Sequence, residues 1–83
     1  MLNRKMEEKL RNGEAISLHK NEVTADGHYI IPESQFMQDV DYCNAKTEGW
    51  IWSIGRRLSD GVILASHSTE FYLNPLFECL WLR

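Results

Sequence analysis

Residues 48–66 read EGWIWSIGRRLSDGVILAS, and the way this stretch folds back on itself sets the architecture. Trp50, Trp52 and Ile54 alternate with Ile51, Ser53 and Gly55. That is the two-residue period of a strand with large aromatics on one face and smaller groups on the other. Arg56 and Arg57 end the run, Ser59-Asp60-Gly61 supplies residues that tolerate a tight reversal, and Val62 to Ala65 returns as a second apolar run. The spacing predicts an antiparallel hairpin over 50–66 with the two arginines near its tip.

Downstream, HSTEFYLNP opens polar, carries Phe71-Tyr72 and breaks at Asn74-Pro75. The chain continues as LFECLWLR, a predicted strand over 76–83. Regular alternation puts Phe77, Cys79 and Trp81 on one face and Leu76, Leu80 and Leu82 on the other, with Glu78 the single acid. Two apolar faces mark a strand that needs cover on both sides.

Upstream, Asn44 to Gly49 has loop chemistry. Residues 33–43 place Phe36, Met37, Val40 and Cys43 at helical spacing, with Ser34 as a cap and Gln38, Asp39 and Asp41 facing outward. Pro32 separates this short helix from residues 15–31, AISLHKNEVTADGHYII, where Asp26-Gly27 signals a turn and one or two short strands are expected. Leu2, Met6 and Leu10 recur every fourth residue, a helix over 2–12 with one narrow buried stripe, closed at Asn12-Gly13. The fold class that follows is α+β: an N-terminal helix, a second short helix, and an antiparallel sheet of three to five strands that includes the hairpin at 50–66 and the C-terminal strand at 76–83.

The 83 residues are expected to form a single domain, and a chain of this length buries only about 60 to 65 per cent of the surface that its unfolded form exposes. A net charge of −3 argues against a nucleic-acid partner, because phosphate neutralisation calls for a basic surface. No stretch approaches the uninterrupted apolar length of a membrane span, and no signal-peptide core is present at the N-terminus, so a cytoplasmic location is expected. In a reducing compartment Cys43 and Cys79 stay thiols, and both are expected to be small core residues.

The ionisable side chains show no metal-ligand spacing, so no metal or other cofactor is expected. No nucleophile elbow and no glycine-rich phosphate loop is present. The one pair with catalytic geometry in prospect is His67 and Glu70, beside the hairpin, where His67 would act as a general base if a cleft formed. Arginines beside strand aromatics also resemble single-strand nucleic-acid platforms, but an acidic chain does not suit that role.

The run WIWSIGRRLSDGVILAS followed by FYLNPLFECLWLR resembles small hypothetical proteins carried on bacterial mobile gene cassettes, the integron cassettes, with TADGHYIIPES as a weaker echo. The resemblance covers roughly the C-terminal half. It implies a compact, often oligomeric α+β protein with no established activity, and it carries no catalytic residues across. An accessory role in defence, stress or toxin and antitoxin systems becomes more plausible than housekeeping catalysis.

Two short helices cover one face of the sheet, whereas Trp50, Trp52, Trp81, Ile51, Leu80 and Leu82 ask for apolar surroundings on both. Each large aromatic buries on the order of 150 to 250 Å². The reading is a homodimer joined through the aromatic face or the C-terminal strand; the alternative cover is the N-terminal strands and Phe71-Tyr72. The function expected is a small accessory binding module that self-associates and meets a protein partner through Arg56, Arg57 and the acidic second helix. The alternative is a small-molecule binder with a pocket at the oligomer seam, walled by Trp50, Trp52, Tyr72 and Trp81.

Overall fold

The computed structural model describes residues 18–38 and 42–83. The expected helix over 2–12, Val40 of the second helix pattern and the acidic residues Asp39 and Asp41 lie outside the described residues. After a single 3-10 turn at Leu18–Lys20 come β1 (Tyr29–Ile31), α1 (Glu33–Gln38), α2 (Tyr42–Glu48), β2 (Ser53–Arg57), β3 (Ile63–Ser66) and β4 (Phe77–Leu82). The four strands form one antiparallel sheet in the order β1-β3-β2-β4, so the fold is α+β as expected.

The hairpin forms where the turn chemistry places it. Arg57 N–H donates to Val62 O and Gly61 N–H to Arg57 O, while Asp60 Oδ1 accepts from Val62 N–H and holds the reversal. The strand begins later than the alternation suggests, at Ser53, and the segment that looked like loop is helix up to Glu48. The cause is a cap. Trp50 N–H donates to Ala45 O and Gly49 N–H to Lys46 O, a Schellman arrangement, with Gly49 at φ 83° in the left-handed region that this cap requires. Residues 50–52 carry the chain from that cap into the sheet.

The tripeptide β1 is fed by a second reversal at Asp26-Gly27. Thr24 N–H donates to His28 O and Ile30 N–H to Glu22 O, with a lone bridge between Val23 and Tyr29. Asn21 fastens this hairpin to α1, its Nδ2 donating both to Ile30 O (2.8 Å) and to the fully buried Gln35 Oε1 (2.6 Å). The Phe36 and Tyr42 rings stack at 5.5 Å, and Tyr42 Oη donates to Phe36 O, which ties the two helices together at their corner.

Register fixes the faces. Ile31, Ile63, Ala65 and Ile54 point to the helix side, where Leu18, Tyr42, Ala45 and Ile51 complete the main core. Residues on the opposite face, Leu64 and Gly55, are covered by the chain itself: Phe71, in the β3–β4 connection, is buried there and tilts against Phe77 at 4.6 Å. Phe71, one half of the Phe71-Tyr72 segment weighed as the alternative cover, thus shelters this part of the sheet from within the chain. Tyr72 instead points to solvent.

The C-terminal strand departs from simple alternation. Trp81 pairs with Ile54 and Cys79 with Gly55, so a bulge at Leu80 turns Trp81 to the helix side and leaves Cys79 on the other face. Leu80 and Trp81 both pack on the main core, whereas Cys79 is exposed and not the core residue expected. Cys43 is half-buried. No helix among the described residues is long and apolar enough to cross a membrane.

Candidate functional site

Four groups of side chains carry chemistry or exposed apolar surface. The first is a polar knot where the chain leaves β3. Ser66 is the last strand residue, and the bend after it turns Ser68 and Glu70 back over the sheet end. Glu70 Oε1 accepts from His28 Nε2 at 2.7 Å, from Ser68 Oγ at 3.1 Å and from Ser66 Oγ. Ser68 N–H in turn donates to Ser66 Oγ, and Ser53 Oγ donates to Ser68 O. The Ser66 hydroxyl, then His28, holds the Glu70 carboxyl below its ordinary value.

This knot suits fastening better than proton transfer. Three donors converge on one carboxylate oxygen and reduce its basicity, the reverse of what a general base needs. Glu70 was paired with His67 on the sequence; the structure pairs it with His28, from the Asp26-Gly27 hairpin. The side chain of His28 is 10% exposed and that of Glu70 45%, so the contact closes over the edge of the Phe71 ring, 5.1 Å from His28. Sequence reasoning did not join His28, Ser66 and Ser68 to Glu70 because the contact spans two hairpins, although the run Ser66-His67-Ser68 is the kind of polar stretch that folds onto its own backbone.

The second group surrounds Trp50. His19 stacks on the indole at 4.4 Å, Tyr29 meets it edge-on at 5.4 Å and His67 lies 5.9 Å away. Trp50 Nε1 donates to Glu48 Oε2. His67 therefore belongs to an aromatic cluster with Tyr29 and Trp50 and stands apart from the carboxylate.

The four residues expected to wall a seam pocket are dispersed within the chain. Trp50 sits in the cluster just described. Trp81 packs on the main core under Lys46, whose Nζ lies 4.9 Å from the ring. Trp52 is 43% exposed and faces the Arg83 guanidinium at 4.8 Å, and Tyr72 lies on the far loop. A cleft at the other end of the sheet is lined by Ile31, Glu33, Asp60 and Val62, and none of the four reaches it. Among the described residues no group of three or more His, Cys, Asp or Glu side chains is placed to hold a metal ion.

The third group is the arginine pair. Arg57 makes a two-pronged contact with Asp60, Nε to Oδ1 at 3.0 Å and Nη2 to Oδ2 at 2.8 Å. This contact, then the Val62 N–H, lowers the Asp60 carboxyl below its ordinary value. Arg56 Nη1 reaches Glu33 Oε2 of α1 at 3.3 Å and Gly61 O at 3.4 Å. Both guanidinium groups already have acceptors in the folded chain.

The fourth group is apolar. Leu58, Tyr72, Leu73 and Leu76 are all exposed, and Leu58 N–H donates to Leu76 O, which brings Leu76 beside the end of β2. Leu73 has φ 59° and is 83% exposed. Compared with family models, curated proteins and solved structures, the chain matches none.

Proposed function

We propose that this protein is a small accessory binding module that self-associates and meets a protein partner through the Leu58, Tyr72, Leu73 and Leu76 surface. One observation carries the reading. A leucine in the left-handed region costs on the order of 1 to 2 kcal/mol, and Leu73 incurs that cost while remaining largely exposed to water. Among the described residues none buries this side chain, whereas a partner that covers it would offset the cost. Exposed apolar groups gathered at one end of a small protein are characteristic of interaction surfaces. The likeness to cassette-borne proteins supports an accessory role over housekeeping catalysis.

Arg56 and Arg57, engaged with Glu33 and Asp60, flank this surface as a polar rim and are not its centre. The test has two parts. Light scattering over a range of concentrations should give a mass above that of one chain. Capture with the wild type should recover a protein that Leu73→Asp does not retain, with both forms equally folded by circular dichroism. A single-chain mass at every concentration together with identical captures by the two forms would refute the reading.

A further inference from the structure

The outer edge of β4 is suited to one occupant, a second copy of this chain, and the register can be read from the strand itself. At six residues β4 is the longest strand, and no described residue pairs with its outer side. Residues 77–82 hold no proline and no lysine, the usual means of discouraging edge pairing.

The order of faces along β4 supplies the geometry. Glu78 is opposite Arg56, whose guanidinium reaches α1, so Glu78 is on the helix side. Cys79 is on the other face, opposite Gly55. Leu80 and Trp81 both pack on the helix-side core because of the bulge, and Leu82, opposite Ser53, returns to the other face. Arg83 is on the helix side: its N–H donates to Trp52 O, and its guanidinium lies over the Trp52 ring and against Gly49 at the end of α2. From 78 to 83 the faces therefore run in the same order in either direction.

A strictly alternating strand meets its two-fold copy only with a residue opposite its own counterpart. The bulge removes that restriction and moves the symmetry point between Leu80 and Trp81. Two antiparallel copies then set like faces opposite each other, with Cys79 against Leu82 and, on the helix side, Glu78 against Arg83. Among the described residues neither group has an ion pair: Glu78 stands opposite Arg56 across the β2–β4 ladder without a direct contact, and the Arg83 guanidinium rests on the Trp52 ring with no carboxylate.

We infer that β4 forms the seam of a two-fold dimer, a continuous eight-stranded antiparallel sheet in which Glu78 of each protomer faces Arg83 of the partner subunit. This rests on the self-association proposed above and adds its location and register. Cross-strand pairs of opposite charge stabilise a sheet and like charges directly opposite destabilise it.

The test is a charge exchange read by sedimentation equilibrium. Glu78→Arg or Arg83→Glu alone converts both cross-strand pairs into repulsions and should raise the dimer Kd roughly tenfold or more, while the double exchange should return it to within about threefold of wild type. Independently, Leu82→Cys should form a covalent dimer on oxidation, which disappears when Cys79→Ser is added. A wild-type dimer that survives both single exchanges unweakened and gives no Leu82→Cys cross-link would overturn this seam and leave self-association standing. A wild type that remains a single chain at every concentration would overturn both and leave the edge to a strand from another protein.

Discussion

The Phe71 ring lies directly on Gly55: a β-carbon at residue 55 would stand 2.6 Å from Phe71 Cγ and 2.8 Å from its Cβ. Glycine in a strand interior usually weakens the sheet, and replacing it with alanine usually helps. Here the sign reverses, because the missing side chain is what lets the β3–β4 connection close over the second face.

Gly55→Ala is accordingly expected to destabilise the protein by about 1 to 3 kcal/mol, the range for overpacking, and Phe71→Ala by about 3 to 5 kcal/mol for the lost ring and the cavity it leaves. Denaturant titration checks both. A Gly55→Ala variant as stable as wild type would mean that Phe71 does not hold this position.

Glu70 gives a pH-dependent prediction. Its carboxyl titrates below the ordinary value of 4.5 because of the Ser66 hydroxyl and His28. A carboxylate whose folded value lies below its unfolded value stabilises the fold above the unfolded value, and that contribution is lost as pH falls through the folded value. Glu70→Gln should therefore flatten the decline of Tm in acid, below roughly pH 5. At pH 7 it should cost about 1 kcal/mol, a charge-assisted hydrogen bond discounted for half-exposure. Superimposable acid limbs for the two proteins would remove the knot from the stability account.

Gly49 tests the cap that ends α2. Any side chain there takes the left-handed conformation and displaces the Arg83 guanidinium. Because that guanidinium is the end of a flexible side chain, the backbone cost should dominate: about 1 kcal/mol for Gly49→Ala and less for Gly49→Asn, which tolerates positive φ. Thermal melts should rank the three proteins in that order, and equal melts would contradict the Schellman geometry.

Relief of strain at Leu73 separates stability from binding. Leu73→Asn should raise stability by roughly 0.5 to 1 kcal/mol, because asparagine adopts the left-handed region at lower cost. The same change removes the exposed apolar side chain. A variant that melts lower than wild type would show that the leucine already contributes packing in the unbound protein.

The hairpin was legible because its determinants are local: alternation, two arginines, then Ser59-Asp60-Gly61 within one short stretch. The start of its first strand was not, since Trp50 and Trp52 satisfy strand alternation equally well while Gly49 caps a helix whose polar residues resemble a loop. The C-terminal strand was found, but its faces were misassigned, because a bulge at Leu80 depends on how β4 meets β2 and leaves no mark on the apolar pattern. Cys79 is exposed for the same reason. Of the site residues, Glu70 was identified and its partner was not; His28 lies in a different hairpin, and only the assembled sheet brings the two together.

The strand order β1-β3-β2-β4 has a kinetic consequence. Only β2 and β3 are neighbours both along the chain and in the sheet, so loop-closure entropy is least for that pair. It is the natural nucleus, with β1 and β4 joining from either flank once it exists. Substitutions that loosen the Ser59–Gly61 reversal should slow refolding, whereas those in the flanking strands should chiefly accelerate unfolding.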